Sequence, residues 1–122
     1  MDEFSVLIVD DEEELVTTIA ERLKIRGIQA QIATDGESAL KIIEENPPKV
    51  VVLDVMMPGI GGIEILQRMN AQNLQIPVIL LTGYGSAEQG KEGMDLGAFD
   101  YLMKPCDLNL LISKIQEAVK SL

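Results

Sequence analysis

Val50-Val51-Val52-Leu53-Asp54 runs four apolar residues, three of them β-branched, straight into one carboxylate, and Met57-Pro58-Gly59 then stops the run. A short run that is continuously apolar and bounded by turn residues predicts a strand buried on both faces, as in a parallel sheet. Such a sheet needs helices on both sides, and open α/β sheets place their sites beyond the carboxyl ends of the strands. Asp54 stands at that end. The rest of the chain decides whether it has chemical company there.

The same grammar repeats on either side. Ser5-Val6-Leu7-Ile8-Val9 is apolar and ends in Asp10 and Asp11. From Glu12 to Arg26 the period changes. Leu15, Ile19 and Leu23 recur every fourth residue, which predicts an amphipathic helix stopped at Gly27. Ile28 to Ala33 alternates polar and apolar residues, as a half-exposed strand near a sheet edge does. Thr34-Asp35-Gly36-Glu37 has capping-box spacing and opens a second helix carrying Ala39, Leu40, Ile42 and Ile43, which Pro47-Pro48 ends. After the central strand, Gly59-Ile60-Gly61-Gly62 leads to a helix with Ile63, Leu66 and Met69. Ile76 to Leu81 predicts a fourth strand ending at Thr82. Ser86-Ala87-Glu88-Gln89 is another capping box. The helix it opens contains Gly90 and Gly93, each costing ~1 kcal/mol relative to alanine, so it is expected to be the softest. Phe99 to Met103 predicts a fifth strand ending at Lys104-Pro105. Asp107 caps a last helix with Leu111, Ile115, Ala118 and Leu122 on one face.

Five βα units in strict alternation predict a doubly wound parallel sheet, flavodoxin-like with strand order 2-1-3-4-5. The 122 residues suit one domain, taken as 1–122, and 47% hydrophobic residues suffice for a core. A net charge of -10 disfavours binding to nucleic acid or anionic membranes. With no histidine and one cysteine, Cys106, His-based metal sites, triads and an internal disulfide are excluded, and a reducing, cytoplasmic setting fits. No apolar run approaches the ~18 residues of a membrane span, and the acidic start lacks a secretion signal's basic region.

Right-handed crossovers carry the carboxyl ends of all five strands to one edge. Asp10, Asp11, Asp54, Thr82 and Lys104 are the residues found there. Strands one and three flank the switch point, so the three aspartates become neighbours. They cannot all stay ionised without a cation, and hard oxygen donors at an open site suit Mg²⁺. A carboxylate beside Mg²⁺ can attack phosphorus and become an aspartyl phosphate. Phosphoryl transfer needs in-line positioning and charge neutralisation, which Mg²⁺, the Lys104 ammonium and the Thr82 hydroxyl would supply without a general base.

At these residues the chain resembles the receiver domains of two-component response regulators. The matching pieces are Ile8-Val9-Asp10-Asp11, Leu53-Asp54-Val55-Met56-Met57-Pro58-Gly59, Leu81-Thr82-Gly83 and Ala98-Phe99-Asp100-Tyr101-Leu102-Met103-Lys104-Pro105. The resemblance implies that Asp54 is the phosphoacceptor and that Asp11, Asp10 (mainly through water) and the Met56 carbonyl bind Mg²⁺. It implies that Thr82 and Lys104 hold the phosphoryl oxygens, that Tyr101 is the aromatic switch residue, and that Lys104-Pro105 is a cis peptide. The implied donor is a phosphohistidine on a sensor histidine kinase or a histidine phosphotransfer protein. The implied output face is the fourth helix, fifth strand and fifth helix, about 86–122, toward an effector, with a homodimer as a further assembly. A receiver catalyses only its own phosphorylation and dephosphorylation.

Departures and rivals bear on the details. Gly61 stands where relatives often carry an acidic helix cap. Met56 and Tyr84, two residues past Asp54 and Thr82, are bulky at positions that influence dephosphorylation, and they are expected to slow autohydrolysis. Gly85 to Glu92 misses a phosphate-binding G-x-x-x-x-G-K-[ST] loop by one residue, with Glu92 charged where a hydroxyl must meet Mg²⁺. An aspartate-nucleophile phosphatase would need an acid where Met56 stands. Glu12, Glu13 and Glu14 read as first-turn acids complementing a helix dipole.

Overall fold

The computed structural model describes residues 5–83 and 87–122. Five strands and five helices alternate: β1 (Ser5–Val9), α1 (Glu13–Ile25), β2 (Gln29–Ala33), α2 (Gly36–Glu45), β3 (Val50–Asp54), α3 (Gly62–Ala71), β4 (Val78–Thr82), α4 (Ala87–Asp95), β5 (Asp100–Met103) and α5 (Leu108–Lys120). The strands form one sheet in the order β2-β1-β3-β4-β5. Every pairing is parallel, and the central register sets Val9 beside Leu53 and Asp54 beside Leu81. Among the described residues no helix is long and apolar enough to cross a membrane.

Two-residue periodicity divides each central strand between two apolar layers. Leu7, Val9, Val51, Leu53 and Leu80 face one layer, where Ala39 and Ile43 of α2 and Ile65 and Met69 of α3 meet them. Val6, Ile8, Val50, Val52, Ile79 and Leu81 face the other, against Val16, Ile19 and Leu23 of α1 and Leu111 and Ile115 of α5. β3 and β4 are buried along their whole length, as continuous apolar runs require.

Several boundaries differ from the sequence expectation. β4 begins at Val78 because Pro77 has no N–H for the ladder; only its carbonyl joins, accepting from the Val51 N–H at 3.0 Å. Asp35, rather than Thr34, caps α2, accepting from the Ser38 N–H at 2.8 Å. Leu122 lies past the end of α5 and is 63% exposed, so it does not belong to the buried face, which Leu111, Ile112, Ile115 and Ala118 form. Asp107 caps α5 as expected. Ser86 and Tyr84 lie outside the described residues, so the capping of α4 and the bulk beside Thr82 are not part of this description.

Gly61 is the N-cap of α3, with no side-chain cap. A Cβ there would stand 2.9 Å from the Val55 carbonyl oxygen, so an acidic cap does not fit. That carbonyl instead accepts from the Gly62 N–H at 3.4 Å. Gly90 and Gly93 of α4 are buried for a similar reason: a side chain on Gly93 would run into Leu80, and one on Gly90 into the Tyr101 ring. Their low helix propensity is thus exchanged for close approach to β4 and β5.

Candidate functional site

The carboxyl ends of β1 and β3 deliver Asp10, Asp11 and Asp54 to one point. One carboxylate oxygen from each lies within 4.8 Å of the others. Asp10 is fully buried, Asp54 is 3% exposed, and Asp11 faces solvent. Backbone donors fix two of the three: the Glu12 N–H donates to Asp10 Oδ1 at 3.0 Å, and the Met56 N–H to Asp54 Oδ1 at 3.2 Å. These bonds orient the remaining oxygens toward the shared space.

Lys104, from the end of β5, fills that space. Its ammonium lies 2.6 Å from Asp10 Oδ2, 3.0 Å from Glu12 Oε1 and 3.4 Å from Asp54 Oδ2. Burial alone would lower the Lys104 pKa, but the carboxylates of Asp10, Glu12 and Asp54 outweigh it and hold the ammonium above its ordinary value. Asp54 is driven the other way. Burial first, then the Asp10 charge, raise its pKa to about 6, against the opposing pull of Lys104 and the Met56 N–H. A buried acid beside another acid therefore lacks positive charge even with one ammonium at hand.

That deficit is the test of whether a metal fits. Asp10 Oδ2 is buried with the Lys104 ammonium as its partner at 2.6 Å, and that one ammonium is shared among three carboxylates, those of Asp10, Glu12 and Asp54. Three hard oxygen donors of this kind, one of them open to solvent, match the ligand set of Mg²⁺, which retains waters and accepts phosphate oxygens.

Thr82 is fully buried at the end of β4, and its hydroxyl donates to the Leu102 carbonyl at 3.4 Å rather than to a carboxylate. Tyr101 is half-buried. A Cβ built on Gly90 would lie 3.0 Å from the Tyr101 ring and 3.3 Å from the Thr82 methyl, so α4 touches both residues at one glycine. Lys104-Pro105 is cis, as the resemblance implied. Cys106 is half-buried, and burial raises its thiol pKa despite Lys104, so the lysine does not activate it.

Two site residues escaped sequence reasoning. Glu12, read as a helix-dipole acid, sits at the N-cap of α1 without capping it and pairs with Lys104. Its place in the run Asp10-Asp11-Glu12, on the site's own loop, was the available signal. Gly90 read only as a helix weakener; nothing local shows which side chains a helix face will meet.

Residues 6–116 match the family model described as the response regulator receiver domain. The chain is 41% identical over 100 residues to the alkaline phosphatase synthesis transcriptional regulatory protein PhoP of Bacillus subtilis, covering 82% of this chain and 42% of PhoP. It is 36% identical over 115 residues to the regulatory protein AtoC of Escherichia coli, covering 94% of this chain and 25% of AtoC. It spans about half or less of the length of these curated relatives. Among solved structures, the receiver domain of the Francisella response regulator 1452 superposes with a TM-score of 0.91 at 35% identity, covering 98% of each chain. With its sheet order, its aspartate cluster and a match across nearly its whole length, the chain belongs to the response regulator receiver domain family, in which an aspartate accepts a phosphoryl group.

Proposed function

We propose that Asp54 is the phosphoacceptor of this chain, with Asp11, Asp10 and the Met56 carbonyl holding Mg²⁺. The observation that carries this reading is the convergence of two further aspartates and one ammonium on a buried carboxylate at a strand end. When bound, Mg²⁺ supplies positive charge against the phosphoryl oxygens and the carboxylates. Asp54 attacks the phosphorus of a phosphohistidine; a P–O bond forms, the P–N bond breaks, and the imidazole leaves. With a pKa of about 6, Asp54 is largely ionised at neutral pH and ready to attack. The Met56 N–H holds one oxygen, which leaves the other to react. Lys104 turns from Asp10 and Glu12 toward a phosphoryl oxygen, and the Thr82 hydroxyl gives up the Leu102 carbonyl to donate to another.

The donor is a sensor histidine kinase or histidine phosphotransfer protein, and the chain acts as a cytoplasmic switch whose only chemistry is on itself. Thr82 and Tyr101 couple the site to α4, β5 and α5, where Met94, Met103 and Leu110 are exposed to an effector. Against the rival phosphate-loop reading, Gly90 lies inside α4 against the Tyr101 ring.

Incubation with Mg²⁺ and a small acyl phosphate is expected to add the mass of one phosphoryl group. The gain should vanish on Mg²⁺ removal and in Asp54→Asn; no gain with any donor would leave only an interaction module. Met56 is 61% exposed beside the acceptor, where it crowds the approach of water. Met56→Asn is expected to shorten the aspartyl-phosphate lifetime several-fold, read by phosphate release; an unchanged lifetime would remove Met56 from this role.

A further inference from the structure

The outer edge of β2 carries a combination that the phosphoacceptor site leaves unused. β2 is an edge strand, and its five residues, Gln-Ala-Gln-Ile-Ala, contain no charge and no proline. Edge strands usually blunt themselves with such residues, because their unpaired backbone groups invite another strand. The Asp10 N–H donates to the Ala33 carbonyl, so the backbone groups of Ala33, Gln31 and Gln29 point toward β1. Those of Ala30 and Ile32 therefore point outward. Beside this edge runs a groove of about 570 Å³ between β2 and α1, lined in part by Ala20, Glu21, Lys24, Ala30 and Ile32. Ile32 is 39% exposed. The buried Gln31 Oε1 finds no partner among the described residues.

We propose that this edge binds a second copy of the chain, β2 against β2 and antiparallel, about a two-fold axis at Gln31. The sequence is self-complementary in that register. Ala30 of one copy opposes Ile32 of the other, and their outward groups exchange paired backbone hydrogen bonds on both sides of the axis. Gln31 faces Gln31 in the closer, non-hydrogen-bonded pair, with Cβ atoms ~4.5–5.5 Å apart, so two uncharged side chains meet at the axis. A small residue meets a large one on the groove side, so Ile32 enters space that Ala30 leaves. Glu21 and Lys24 give the groove one acid and one base per copy, so the two grooves do not repel. The overall charge of -10 does repel, which makes the association weak at low salt and tighter as salt screens it.

Sedimentation equilibrium of the 122-residue chain, from micromolar to millimolar concentration, tests this directly. The expected result is a mass rising from 13.4 kDa toward twice that value, more readily at high salt, with slowed exchange of the Ala30 and Ile32 amides. Ile32→Lys is expected to weaken association roughly tenfold or more, because it places two like charges near the axis. Ile32 is partly exposed, so the variant should fold, and unchanged circular dichroism with retained Mg²⁺-dependent phosphorylation verifies that. Met103→Lys, on the exposed β5 side, should leave association unchanged. A mass that stays monomeric throughout would overturn the proposal. So would association that survives Ile32→Lys but is lost in Met103→Lys.

Discussion

In the presence of a chelator, the chain is expected to lose up to about 3 kcal/mol of stability between about pH 4 and pH 7, a loss that Asp54→Asn does not share. The sign follows from the direction of the Asp54 shift. Its folded pKa is about 6, above the ordinary 3.8. Between those values the unfolded chain has released the proton while the folded chain still holds it. The unfolded state thus binds fewer protons, and stability falls as pH rises through that window, then levels off. Two units at about 1.4 kcal/mol each set the upper end of this loss, because Asp54 shares its charge balance with Asp10 and Lys104. Urea unfolding at a series of pH values, native chain against Asp54→Asn, compares the buried cluster with and without this carboxyl group. Adding Mg²⁺ at neutral pH should restore stability to the native chain in proportion to RT ln(1 + [Mg²⁺]/Kd) and do much less for Asp54→Asn. Parallel pH profiles for the two proteins would mean that Asp54 carries no such burden.

That burden explains why the acids are where they are. Turned outward to water, Asp10 and Asp54 would cost the fold nothing. Buried side by side, they leave a deficit of positive charge that a bound cation would fill, and they keep the proposed nucleophile from being shielded by water. The Lys104 ammonium offsets part of the cost in the resting state, and in the proposed reaction it would turn to an incoming phosphoryl group. Glu12 is 62% exposed on its side chain, so its pairing with Lys104 at 3.0 Å is easily exchanged.

Much of this was legible in the chain. The strands read correctly because a two-sided buried strand must be continuously apolar, and the parallel, doubly wound arrangement followed from alternation and handedness. Asp10, Asp11, Asp54 and Lys104 were legible as a group because the fold gathers strand ends whatever lies between them, while Thr82 stands at the end of β4 with its hydroxyl on the Leu102 carbonyl. What failed to show was decided by contacts across the fold. Pro77 shortened β4 through a missing N–H, although its neighbours are apolar. Asp35 rather than Thr34 caps α2 because the helix begins at Gly36, which puts Asp35 at the N-cap with the Ser38 N–H in reach. Glu12 and Gly90 are defined by what faces them, Lys104 in one case and Tyr101 in the other, and no local pattern encodes that.

Gly62→Ala carries the same lesson into the site. Gly62 is the first residue of α3, and a Cβ there would stand 2.6 Å from the Asp54 carbonyl oxygen and 3.2 Å from the Val55 Cα. Both neighbours are backbone and cannot swing aside. Either α3 lifts off the end of β3 or the end of β3 shifts, and overpacking of this kind costs roughly 1–3 kcal/mol. The displaced atom belongs to the proposed nucleophile's own residue, so its carboxylate shifts with it. A misplacement of ~1 Å can slow a positioned reaction ~100-fold. Gly27→Ala is the matched comparison. Gly27 has φ +77° and open space around it, so alanine there costs about 1–2 kcal/mol of backbone strain without touching the site. It precedes β2, at the opposite end of the sheet from the aspartates. The two variants should therefore lose similar stability in urea, while only Gly62→Ala slows Mg²⁺-dependent phosphorylation, by tenfold or more when initial rates with an acyl phosphate are compared. Equal rates in the two would show that the contact between α3 and the end of β3 supports the fold but does not position Asp54.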